Sequence, residues 1–305
     1  MNPSTLLKYK TIWKKFKSFR KTVTGKTHID MIRLFIAAQR KRYAHSASYL
    51  RSQVSAIAWF LENQGITGMS TDSSLNRQLK AYESAQPYSK ACRKAITIGK
   101  LKRLLKSIPI LLGNKTYQQR LYSAVFTLMY FGALRIGEAV ISQHAKHTIM
   151  ASQLQIAHKM GKIRLQLNSF KHSKPKPLPP LIFVRDKEPL LMHVFKYAEQ
   201  RKNVMTPSSP TGVGDGDFFF LEKDGSPLHR CKVVSVHKKC LLLCKLKPED
   251  FNSHSFRIGR ATDWRKEGFT DGQIAAMGRW SSDAFQKYFK PTSINMTKKA
   301  RRDVR

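Results

Sequence analysis

Acidic side chains are scarce in this sequence: 19 Asp and Glu stand against 56 Lys and Arg in 305 residues, a formal net charge of +37 at neutral pH. No small-molecule enzyme requires such an imbalance, and it points to a polyanionic partner. Cysteine is also sparse. Cys92, Cys231, Cys240 and Cys244 form no CxxC pair and have no histidines at ligand spacing, which argues against a zinc knuckle or a disulfide framework and for a reducing compartment. No run approaches the roughly 18 consecutive apolar residues of a membrane span. The polar, lysine-rich first residues hold no signal-peptide core, so a soluble chain not secreted by that route is expected. No amphipathic helix with a lysine-only polar face stands beside a lipidation signal, which disfavours a membrane-surface role. Internal repeats are missing too.

Apolar material is plentiful. Hydrophobic residues make up 41% of the chain, with 17 Phe, 10 Tyr and 4 Trp, enough to build real cores and to exclude wholesale disorder. At about 100 to 200 residues per domain, the length predicts two domains. The basic residues are spread along the whole chain rather than held in one tail, so the folded surface itself is expected to meet nucleic acid.

Leu6, Tyr9, Ile12, Trp13, Phe16 and Phe19 recur at helical spacing, with lysines and arginines on the opposite face. Further helices are predicted over Ile29 to Ala38, Ala47 to Asn63, with Gly65 as a C-terminal cap, and Leu75 to Tyr82. This predicts a small, basic, all-helical domain over residues 1–86, followed by a linker over 87–95. A second domain over 96–290 begins with helices at about Thr97 to Lys106 and Tyr117 to Tyr130. The period then changes: Leu154, Ile156, a turn at His158 to Gly161, and Ile163, Leu165 and Leu167 read as a β-hairpin ending in the basic run Lys171-His172-Ser173-Lys174. Arg201 to Asp217, rich in Ser, Pro and Gly, reads as a mobile surface loop, and Phe218 to Leu221 as a short strand. Mostly helical chain is expected to about Phe289, then a disordered basic tail over 291–305. The fold class is therefore mainly α with a small β-sheet.

Several residues stand in patterns that carry chemistry. Arg135 directly follows an apolar helix, and Glu138 lies three residues on; by itself such a pair reads as a surface ion pair worth a few tenths of a kcal/mol. His254 and Arg257 share one side of a helical turn, where they could grip a phosphate beside a proton-transfer group or simply belong to a solvated basic face. Downstream stand Gly278-Arg279-Trp280 and then Tyr288.

In this order the pieces resemble the tyrosine recombinase (phage-integrase) superfamily: Arg135 in Ala-Leu-Arg-x-x-Glu, a hairpin lysine, His254-x-x-Arg257, a Gly-x-Trp element and a late Tyr288. His254-Ser255-Phe256-Arg257-Ile258-Gly259 and Gly278 to Phe285 look most like recombinases of eukaryotic mobile elements of the Crypton, Ngaro and DIRS types. The resemblance spans nearly the whole chain and implies a helical core-binding domain, a mixed catalytic domain, and cleavage of double-stranded DNA through a 3′-phosphotyrosine. Neither metal, cofactor nor ATP is implied. It assigns Tyr288 as nucleophile, Arg135, Arg257 and His254 to the phosphate, and a hairpin lysine as general acid, with Lys171 preferred and Lys174 as the second candidate. Glu138 would orient a neighbour. Family members usually carry His or Trp nine residues before the tyrosine, where this chain has Arg279, with Trp280 one place later. Arg279 and Trp280 are thus alternative supports for the phosphate, and Trp280 also reads as helix packing. A homo-oligomer, tetrameric on two duplexes, is implied, located in the nucleus of a eukaryotic host or otherwise with the nucleoid. The alternatives are a DNA-binding relative that has lost catalysis and a type IB-like topoisomerase.

Overall fold

The computed structural model describes Met1 and residues 3–85, 93–142, 147–169, 179–202, 218–280 and 285–286. Most of the expected linker, the 203–217 stretch of the expected mobile loop, the basic tail, Lys171, Lys174 and Tyr288 lie outside the described residues. The chain divides into two compact units, Met1–Ala91 and Cys92–Arg305.

The first unit is built of α1 (Pro3–Arg20), α2 (His28–Tyr43), α3 (Ala47–Glu62) and α4 (Ser73–Ser84). Thr27, Ser46 and Asp72 cap the last three, each side-chain oxygen accepting the backbone N–H three residues on. Helix α3 lies at the centre, packed on α1, α2 and α4. Its Leu50, Val54, Ile57 and Leu61 meet Phe16, Ile32, Phe35, Ile36, Leu75 and Leu79 in one core. Gly65 sits in the exit turn of α3 at φ 82°, where only glycine is at ease.

The second unit comprises α5 (Ile98–Leu112), α6 (Thr116–Phe131), α7 (Ile136–Ala139), β1 (Leu154–Ala157), β2 (Lys162–Leu165), β3 (Leu181–Val184), α8 (Met192–Arg201), α9 (Arg230–Leu243), α10 (His254–Lys266) and α11 (Asp271–Gly278). Every residue of α6 from Leu121 to Phe131 is buried. A helix apolar on all sides belongs inside a layer of others, and α5, α8 and α10 surround it.

Strands β1 and β2 form the expected hairpin, Leu154 opposite Leu165, and β3 joins β2 antiparallel, Leu165 opposite Leu181. The third strand is an addition to the sequence reading; the prolines just before it mask an edge strand, the position in a sheet that tolerates them. Phe218 to Leu221 corrects that reading in the opposite direction. It makes isolated bridges instead of a ladder, because side chains take its carbonyls: Arg201 donates to Phe218 and Phe219, and the Tyr197 hydroxyl to Phe219. Among the described residues no helix is long and apolar enough to cross a membrane.

His237 of α9 is buried between the rings of Phe126 and Phe256, with centroids at 5.8 and 5.1 Å. Burial pulls its pKa down to about 4 from the ordinary 6.5. Above pH 6.5 both folded and unfolded chains are neutral there, and the group does not affect stability. As pH falls from 6.5 towards 4 only the unfolded chain takes up the proton, so stability drops across that window and levels off below it. His237→Phe is expected to remove a loss on the order of 3 kcal/mol between pH 7 and 4, read as a flatter dependence of the urea midpoint on pH. An unchanged slope would count against the burial argument.

Candidate active site

Helix α6 ends in a tight turn that delivers Arg135. The Gly132 and Leu134 N–H groups bond back to Leu128 and Met129, and Ala133 adopts φ 43°. A Cβ on Gly132 would lie 3.0 Å from both the Leu128 carbonyl and the Leu134 side chain. Arg135 then caps α7. Glu138 Oε2 accepts the Arg135 backbone N–H at 3.0 Å, and Oε1 accepts its Nη1 at 2.9 Å. With only 2% of its side chain exposed, Glu138 does not form the surface ion pair that the spacing by itself predicts. A buried carboxylate needs such partners, and it holds the half-exposed Arg135 in one orientation.

The second motif opens α10. Asn252 and Ser255 exchange hydrogen bonds at its start, and Asn252 Oδ1 accepts the His254 N–H at 2.9 Å. One turn on, Arg257 is wholly buried, 0% exposed, and donates through Nη1 to the Ala133 carbonyl and through Nη2 to that of Gly278. The alternative of a solvated basic face is therefore corrected for this residue. Burial, then the charges of Arg257, Arg135 and Arg93, pull His254 down to about 4, with Glu138 acting in the opposite sense. Its imidazole is neutral at pH 7, able to accept a proton on one nitrogen and donate from the other.

The third motif lies just beyond α11. Trp280 covers Arg257, whose guanidinium carbon is 4.3 Å from the ring centroid, and stacks on Phe285 at 5.3 Å. A Cβ on Gly278 would fall 1.6 Å from the indole, so glycine is what lets the ring close down. Trp280 thus both packs against the apolar cluster of Ala133, Ala261, Trp264, Ile274 and Phe285 and contacts an arginine. Arg279 turns inward. Its Nη2 lies 3.0 Å from the Gly132 carbonyl, 3.3 Å from that of Ala133 and 3.4 Å from Glu138 Oε2.

Arg135, Glu138, His254, Arg257, Arg279 and Trp280 therefore converge, although 146 positions of sequence separate Arg279 from Ala133, whose carbonyl it reaches. Sequence reasoning missed three contributors. Arg93 acts on His254 through its charge. The Ala133 carbonyl is shared by two arginines and has no side-chain signature. Asp263 accepts the Ile98 N–H at 2.7 Å and the Tyr130 hydroxyl, fixing both α5 and α6 against α10. Its signal is compositional: it is the one carboxylate within α10.

Arg135 and Arg279 on one carboxylate, with Arg257 on the neighbouring Ala133 carbonyl and a neutral imidazole beside them, make a site of net positive charge suited to a tetrahedral anion such as a phosphate, whose oxygens match guanidinium donors. Among the described residues no three His, Cys, Asp or Glu side chains gather as metal ligands.

No family model matches the sequence, and no curated protein does. Solved structures do match it. The Tn1549 transposon integrase in complex with circular intermediate DNA superposes with a TM-score of 0.63 at 16% identity, covering 100% of this chain and 94% of that one. The XerH site-specific recombinase bound to difH substrate gives 0.65 at 11% identity over 99% and 78% of the two chains. A lambda integrase dimer bound to a COC′ core site gives 0.57 at 11% over 97% and 75%. Mostly helical with one small antiparallel sheet, this chain has the fold of the tyrosine recombinases.

Proposed function

We propose that this protein is a site-specific DNA recombinase or integrase that cuts and rejoins duplex DNA through a covalent 3′-phosphotyrosine, without metal or ATP. The observation that carries the reading is the convergence of Arg135 and Arg257, 122 residues apart in sequence, on one carbonyl and carboxylate network joined by Arg279, with neutral His254 under the influence of their charges. The solved neighbours with DNA bound support duplex DNA as the partner.

In this mechanism the Tyr288 phenolic oxygen attacks phosphorus as the bond to the 5′ oxygen breaks. Arg135 and Arg257 neutralise the charge that grows on the non-bridging oxygens, which is the role a metal would otherwise fill. His254 hydrogen-bonds the phosphate or accepts the tyrosine proton. Lys171, with Lys174 as second candidate, gives a proton to the departing 5′ oxygen, a poor leaving group as an alkoxide. Further support for the phosphate comes from Arg279 or Trp280. Both units contribute phosphate contacts, and a tetramer on two duplexes is the working assembly. The mobile-element resemblance makes a transposable element the source, and the nucleus the compartment in a eukaryotic host.

The test is capture. Incubated in excess chelator with a library of nicked duplexes, then denatured, the protein is expected to retain DNA whose 3′ ends converge on one sequence. Absence of any retained DNA would favour a binding protein that has lost catalysis. A leaving oxygen replaced by sulfur departs without protonation. Lys171→Ala is therefore expected to cleave normal DNA severely slowly and the sulfur-substituted strand at nearly the normal rate, with Lys174→Ala mild on both. Rescue of Lys174→Ala instead would exchange the two assignments.

A further inference from the structure

We propose that Arg279 is a positioning residue: it ties Arg135 and Arg257 into one cradle through Glu138 and the turn at Gly132 and Ala133, and does not itself grip the phosphate. This rests on the reading of the cleft as a phosphodiester site.

The backbone is the first observation. Arg279 ends α11 at φ 56° and ψ 46°, a left-handed conformation that costs a non-glycine residue about 1 kcal/mol or more and persists only where surrounding contacts fix it. Here the fixing contacts are those of its own side chain, which is 8% exposed. The second observation is which groups those contacts share. Glu138 accepts from Arg279 at 3.4 Å through Oε2 and from Arg135 at 2.9 Å through Oε1. The Ala133 carbonyl accepts from Arg279 at 3.3 Å and also from Arg257. Arg279 is thus the link between the two arginines assigned to the phosphate, and it stitches the end of α11 to the end of α6.

The third observation is where its remaining donors lie. Nε and Nη1 are buried, closed off from solvent, and have no acceptor among the described residues. A direct phosphate contact would have to use them or give up the Nη2 bonds. Electrostatics supplies the reason for a tie. Three guanidiniums repel one another at short range, and a shared carboxylate and shared carbonyl dipoles offset that repulsion before the anion arrives. Trp280, stacked on Arg257, closes the other side.

The test joins activity to a readout independent of it. Arg279→Met keeps an unbranched apolar stem and removes every donor; Arg279→Lys keeps the charge. Single-turnover capture of DNA, measured where both proteins are folded, is expected to fall about a hundredfold in Arg279→Met, the scale of a small misplacement of catalytic groups, with partial recovery in Arg279→Lys, little change in DNA affinity and a lowered melting temperature, since a buried partner of Glu138 is lost. In a double-mutant cycle, Arg279→Met is expected to add little to the loss already caused by Arg135→Lys. Nε–H NMR of the arginines, measured without DNA, is expected to shift the Arg135 signal in Arg279→Met. Additive losses in the cycle would overturn the proposal in favour of an independent phosphate contact, and so would an unmoved Arg135 signal. A shifted signal with no DNA captured by the unaltered protein would refute the recombinase reading while leaving the tie standing.

Discussion

Tyr288→Phe is expected to abolish covalent capture of DNA completely while leaving folding and DNA affinity nearly unchanged. The substitution removes one oxygen and almost no volume, so it subtracts a nucleophile and little else. With a nicked or suicide duplex in excess chelator, the unaltered protein is expected to give a slow-migrating adduct on a denaturing gel, and Tyr288→Phe none. An adduct that survives the substitution would refute the assignment of the nucleophile. Arg257→Ala is also expected to lose the adduct, but for two reasons. Besides removing transition-state charge, it takes the Arg257 donor from the Gly278 carbonyl and leaves the Ala133 carbonyl with Arg279 alone, inside a wholly buried site. Nonspecific binding should fall little, because one charge among 56 basic residues contributes little to affinity.

Gly259→Ala is expected to be among the most damaging single changes to the second unit. Ser255, Gly259 and Asp263 recur every four residues and so form one stripe of α10, along which the chain from Lys94 to Ile98 is laid. The Ile96 N–H bonds to the Ser255 carbonyl at 2.9 Å, and the Ile98 N–H to Asp263 at 2.7 Å. Between them a Cβ on Gly259 would stand 1.7 Å from the Ile96 carbonyl oxygen. The obstacle is backbone held at both ends, so it cannot swing aside as a flexible side chain would. Loss of stability on the order of 3 kcal/mol is expected, read as a fall in the denaturation midpoint. Gly99→Ala, where a Cβ meets nothing within 4 Å, is the control and should be neutral or mildly stabilising. Equal stability of Gly259→Ala and the unaltered protein would show that the segment is not pinned there.

Glycine 259 also illustrates what a sequence can convey. It stands two residues beyond the His254-x-x-Arg257 motif, visible as a letter, yet its reason for being glycine is a carbonyl 163 residues earlier in the chain. The sequence by itself determined the helices of the first unit, because Ile32, Phe35 and Ile36, or Leu50, Val54, Ile57 and Leu61, announce a buried face through spacing alone. It determined the hairpin through the alternation on either side of Gly161, and the basic character of the surface through charge. The assignments of Tyr288, Lys171 and Lys174 are what the family resemblance implies from motif order. The helix, hairpin and charge signals are local: each depends on neighbours within a turn or a pleat.

Only the tertiary structure decided what the motifs become. Arg257 and Arg260 stand three apart on α10 and look alike in sequence, but Arg260 pairs with Glu188 and Glu267 whereas Arg257 binds the carbonyls of two distant turns. Glu138 reads as half of an exposed i,i+3 pair, but Arg279 arrives over it from the end of α11 and the carboxylate is buried. The inward path of Arg279 follows from a left-handed backbone that no propensity assigns to arginine. Burial and hydrogen-bond partners are set by which elements pack together, and that is a property of the whole chain; spacing within one helix can bring side chains to the same face, but it cannot say what lies opposite them.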